Sequence, residues 1–138
     1  MKYSVELLLT WADCDAALAL AAERLRVLTK QGGDASYQLT NVTAETAELL
    51  AELKGLNARI AFLTPYLATL DAGDERTATQ KELRRKTDRR DELESRKEAQ
   101  GPVAQLTREL EQGETAVRVA EVNAFIADVQ ARRATLSA

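Results

Sequence analysis

The 138-residue chain contains no histidine. That absence removes together the commonest general base, the commonest transition-metal ligand and every Ser-His or Cys-His nucleophile pair. A single cysteine, Cys14, leaves no intramolecular disulfide and too few thiolates for zinc. It stands on an apolar stripe, where a buried structural role is expected. Charge of one sign is lacking too: 22 acidic against 19 basic residues give a net charge of -3, so no global attraction draws the chain to nucleic acid or an anionic membrane. Long apolar runs are missing, because Glu6, Asp13, Asp15 and Glu23 interrupt the N-terminal stretch. It reads neither as a signal peptide nor as a membrane span, and a soluble cytoplasmic protein is expected. Gly32-Gly33-Asp34 has neither phosphate-loop spacing.

With only six glycines, two prolines, one tryptophan, three tyrosines and two phenylalanines, the chain is rich in Ala, Leu, Glu, Arg and Thr, the mixture of long helices. An all-α fold and one domain over residues 1–138 are expected. Gly32-Gly33-Asp34, Asp71-Ala72-Gly73-Asp74 and Gly101-Pro102 punctuate the pattern, each offering glycine where a helix ends. They predict four helices, at about 11–30, 37–70, 75–99 and 103–134. Short connections favour antiparallel neighbours, so the expected architecture is an up-down-up-down helical bundle built from coiled-coil hairpins.

The strongest positive signal is spacing. Val42, Thr46, Leu49, Leu53, Leu56, Ile60, Leu63, Leu67 and Leu70 follow one another in steps of four and three, the period that keeps one seam facing a neighbouring helix. Leu7, Trp11, Cys14, Leu18, Ala21, Leu25 and Leu28 repeat it in the first segment. There Thr10 and Asp13 resemble a capping box, behind a short turn capped by Ser4. Pro65 falls inside the second seam, and a kinked but continuous helix is expected because the seam stays in phase beyond it.

The third segment has Leu83 and Leu93 as its only large apolar residues. It leans on intrinsic helix formers, on pairs such as Glu82 with Lys86 and Glu92 with Arg96, and on Lys and Arg stems laid over a neighbour. The fourth carries two stripes: Val103, Leu106, Leu110, Gly113, Val117, Ala120, Ala124, Ala127 and Ala131, and beside it Val119, Val122, Ile126, Val129 and Leu136. Two stripes imply two neighbours, and the alanines permit a close one.

These features point to a non-enzymatic structural or interaction protein, an adaptor or spacer that presents helix faces to itself or to another protein. The candidate partner residues are Leu56, Ile60, Leu63, Leu67 and Leu70, with Val122, Ile126 and Val129. A homo-oligomer would bury seam positions left over, and no cofactor is expected. A nucleic-acid-associated protein is the alternative: Lys81, Arg85 and Arg89 lie on one face at i, i+4, i+8 and could meet an anionic partner. Against it, Glu82, Asp88, Asp91 and Glu92 are interspersed and no aromatic platform is near. A carboxylate metal site is the weakest reading. Di-iron bundles need Glu-x-x-His, and Asp71, Asp74 and Glu75 suit a capped turn better than a calcium loop.

Overall fold

The computed structural model describes residues 1–137, and among them every regular element is helical. After a 3-10 turn at Val5–Leu7 come α1 (Trp11–Ala68), α2 (Asp74–Gln100) and α3 (Pro102–Thr135). There are three long helices, not four. The helices expected at 11–30 and 37–70 are one helix of 58 residues, because the chain does not turn at Gly32-Gly33. Neither glycine takes a positive φ. Gly32, Ala35 and Leu39 continue the four-and-three spacing from Leu28 to Val42, so the two seams are one. From Cys14 to Leu67 every position of this single seam is buried or half-buried. The glycines cost about 1 kcal/mol each in a helix interior, while burying even one Leu returns about 1.5 to 3 kcal/mol.

The N-terminus of α1 is closed by the expected box. The Asp13 amide donates to Thr10 Oγ1 at 3.1 Å, and the Thr10 amide donates back to Asp13 Oδ2 at 3.1 Å. Thr10 and the Leu9 amide hold the Asp13 carboxyl below its ordinary value. Ser4 occupies the cap position of the 3-10 turn but makes no side-chain cap bond. At the other end α1 runs through Pro65 as expected, and the Thr64 hydroxyl donates to the Ile60 carbonyl at 2.8 Å. The helix stops where Thr69 Oγ1 bonds the Tyr66 carbonyl at 2.7 Å, two residues before the expected Leu70.

The chain divides into two compact units. One comprises Met1–Gln38 with Glu109–Ala138, the other Leu39–Arg108. In the first, the N-terminal half of α1 lies antiparallel to α3. Gln112 Nε2 donates to Ser36 Oγ at 2.8 Å, Thr115 lies 3.5 Å from a Cβ built on Gly32, and Arg133 Nε donates to Asp15 at 2.8 Å. Trp11 Nε1 donates to the Leu136 carbonyl at 3.1 Å, under an Arg133 guanidinium 4.3 Å from its ring centroid. Partners rise on one helix as they fall on the other, residue for residue. Cys14 and Val129 are fully enclosed here, and Trp11, 37% exposed, is an end anchor more than a core residue.

In the second unit α2 lies antiparallel to the C-terminal half of α1. Leu93 packs with Leu49, Leu53 and Leu56. The α2 positions turned inward are Thr79, Leu83, Lys86, Arg90, Leu93, Lys97 and Gln100, again in steps of four and three, with their charged members half-buried. The segment that reads as seamless thus has a seam, part of it made of cationic stems whose charged ends reach water. The α2–α3 junction is fixed by Gly101: a Cβ there would fall on the Lys97 carbonyl oxygen. Buried Thr46 donates its hydroxyl to the Gln100 carbonyl at 2.7 Å, pairing a group that the helix end leaves open.

Glycine substitutions separate these roles. Gly33→Ala and Gly55→Ala, where a Cβ meets nothing within 4 Å, should each raise stability by about 0.5 to 1 kcal/mol in urea unfolding. Gly101→Ala should lower it by more than either gain; a loss at Gly33 would mean that the chain turns there after all.

Candidate interaction surfaces

The two stripes of α3 have opposite fates. Val119, Val122, Ile126 and Leu136 are half-buried and Val129 buried, in the unit formed with α1. The other stripe, Val103 to Ala131, is exposed at every position. Its large members are 72% (Val103), 63% (Leu106), 63% (Leu110) and 70% (Val117) exposed, too much for scattered surface aliphatics in one line. The two neighbours expected for this segment reduce, within the chain, to one.

The partner residues read from sequence are mostly occupied by the chain itself. Leu56, Leu63 and Val129 are buried, and Ile60, Leu67, Leu70, Val122 and Ile126 half-buried. What periodicity could not separate was which stripe of α3 turns inward, since both keep seam spacing.

The basic row of α2 is divided. Lys81 and Arg85 are exposed, but Arg89 donates from Nε to Glu52 Oε1 at 2.8 Å, from Nη2 to Glu52 Oε2 at 3.2 Å and from Nη1 to Glu92 Oε2 at 3.0 Å. Arg89 holds both carboxyls below their ordinary range, and is itself pushed up, first by Glu52 and then by Glu92. Of the two pairs expected within α2, Glu92 with Arg96 forms at 2.5 Å. Glu82 turns instead to Arg59 of α1, at 2.8 Å, because the antiparallel helix offers a planar guanidinium across the seam.

A groove of about 670 Å³ opens in the first unit between α1 and α3, lined among others by Leu20, Arg24, Val27, Arg118, Val122 and Phe125. Tyr3 closes its edge, its ring 4.9 Å from Phe125 in an edge-to-face contact and its hydroxyl donating to Glu121. That carboxylate pushes the Tyr3 phenol above its ordinary value. Arg132 Nε donates to the Leu8 carbonyl at 3.0 Å and binds the N-terminal segment to α3. A lone aromatic ahead of the first helix gives no periodic signal, so this docking is invisible to pattern reading.

Among the described residues no group of three or more Cys, Asp or Glu converges as a metal site, and no helix is long and apolar enough to cross a membrane. Of the turn carboxylates, Glu75 accepts from the Tyr66 hydroxyl at 2.7 Å. The capped turn expected there does not form through Asp74, which is the first residue of α2, because the cap position falls on Gly73 and no side chain caps the helix. No family model, curated protein or solved structure matches the chain.

The Arg89 cluster gives a signed pH dependence. The folded-state pKa values of Glu52 and Glu92 lie below the ordinary 4.5, so their stabilisation is complete above 4.5 and lost as pH falls through the depressed values. Arg89→Gln should therefore lower the urea midpoint at pH 7, and the gap to the parent should close below pH 4.5. A constant gap down to pH 2 would mean that Arg89 acts by packing alone.

Proposed function

We propose that this chain is a non-enzymatic interaction protein, an adaptor or spacer, whose partner face is the outer stripe of α3. The observation that carries this is the exposure, together, of seam-spaced Leu110, Gly113, Val117, Ala120, Ala124 and Ala127. Seam spacing sustained over several heptads favours a facing helix, and α1 is turned to the other stripe. Fully buried Val129 supports the reading indirectly, as part of the core that fixes which face of α3 turns inward. Leu56 and Leu63 are buried in the other unit and take no part in this face. A cytoplasmic setting belongs to the same proposal, in keeping with a single free thiol buried at Cys14.

The nucleic-acid reading has less behind it. Two exposed cations, Lys81 and Arg85, remain once Arg89 is committed to Glu52 and Glu92. Binding of that kind would weaken steeply with salt, whereas binding through leucines would not.

Leu110→Asp with Val117→Asp tests the proposal. Both side chains are exposed, so helicity and Tm should stay near the parent's, each substitution costing within about 0.5 kcal/mol. Proteins captured by the parent chain, its own copies included, should be lost from the double variant. Unchanged capture by a well-folded double variant would move the partner face elsewhere.

A further inference from the structure

The groove between α1 and α3 has an apolar base and unanswered positive charge at its rim. Ala21 and Leu28 are buried beneath it and Val122 and Phe125 half-buried, while Leu20, on the α1 side, stands 73% exposed. Arg24 of α1 and Arg118 of α3 border this trough. Both are exposed, and among the described residues neither takes part in an ion pair or a hydrogen bond. The one carboxylate of the lining, Glu121, is engaged elsewhere: it accepts from the Tyr3 hydroxyl and has the Met1 ammonium 3.9 Å away. An occupant that meets both demands is apolar along its length and anionic at one end.

We propose that the groove binds a free straight-chain fatty acid, with its carboxylate at Arg118 and its alkyl chain running toward Leu20. The site is separate from the outer stripe of α3 and does not depend on it. The antiparallel register decides which end takes the head. Ser36 with Gln112 and Asp15 with Arg133 set Arg118 level with the Gln31 end of the groove and Phe125 toward the Leu20 end. One end thus collects a guanidinium and an amide, both able to donate to a carboxylate, and the other collects Leu20 and Phe125. Arg24 stands midway, where its stem can cover the chain while its charge stays in water. From Leu20 to Gln31 the trough runs about 16 Å along α1. Its volume of about 670 Å³ is that of a small-molecule site. A docked helix fits less well, since it needs anchors spaced over several turns and Tyr3 already occupies the α3 side against Phe125.

Titration calorimetry of the full chain with sodium laurate tests the proposal. One equivalent should bind saturably, with a dissociation constant below about 100 µM. Dodecyltrimethylammonium, which has the same chain length and the opposite charge, should bind at least about tenfold more weakly. Leu20→Asp changes an exposed side chain, so Tm should stay near the parent's while laurate binding weakens at least about tenfold. Arg118→Gln should weaken it at least about fivefold. Arg85→Gln, exposed in the other unit, should leave it unchanged. Absence of binding up to about 1 mM overturns the proposal. So does uptake of many equivalents without saturation, equal binding of the cationic analogue, or an affinity unmoved by both Leu20→Asp and Arg118→Gln. Flotation with vesicles of phosphatidylcholine and phosphatidylglycerol tests the other source of such chains. The parent should remain unbound; flotation that is lost with Leu20→Asp would assign the groove to a bilayer and overturn the free ligand. Captured proteins lost from Leu20→Asp, in a chain that binds no laurate, would give the groove to a protein segment and overturn it too.

Discussion

The seam of α1 is the constraint on which the rest depends. Its step of four and three holds from Cys14 through Leu67 without a lost residue, and every position on it is buried or half-buried. A helix that keeps one line toward its neighbour cannot turn at Gly32-Gly33 without abandoning the packing of Leu25 and Leu28 on one side or of Leu39 and Val42 on the other. Two glycines cost about 2 kcal/mol in helix propensity, less than the side chains that would be released. The seam therefore sets the number of helices, and with it what each helix has left to show.

Different partners meet this seam in the two units. Against its N-terminal half lies α3, with branched aliphatics at Val122, Ile126 and Val129. Against its C-terminal half lies α2, with Leu93 and a line of half-buried Lys86, Arg90 and Lys97. Cationic stems can cover leucines while their ends stay hydrated, and flanking pairs such as Arg89 with Glu52 and Arg59 with Glu82 fix the alignment more than they add stability. Helix α2 has spent its few apolar residues on that task. Helix α3 has a complete second stripe unspent, and the functional proposal follows from this inequality.

Much of the architecture is legible in the sequence. Composition predicts helices, the four-and-three spacing finds the seam, and Thr10 with Asp13 marks the start of α1. Gly101-Pro102 is rightly read as a boundary: α2 ends before it, Pro102 opens α3, and only glycine fits between them, since a Cβ at 101 would fall on the Lys97 carbonyl oxygen. Gly32-Gly33 is misread as one, because glycine permits a turn without requiring it, and the decisive fact is the phase of Gly32, Ala35 and Leu39. The α2 seam escapes notice because its members are charged. For the surfaces, the sequence supplies both stripes of α3 but not their orientation, which depends on α1 taking the bulkier β-branched stripe as its neighbour.

The central claim is that α3 turns Val122, Ile126 and Val129 inward and leaves Leu110 and Val117 outside. Thiol labelling tests it most directly, with single cysteines at Val117 and Val129, Cys14 replaced by Ala, and protein dilute enough to be monomeric. The account predicts that Val117→Cys reacts nearly as fast as in the unfolded chain while Val129→Cys is strongly protected. Protection at Val117 with free reaction at Val129 would contradict it.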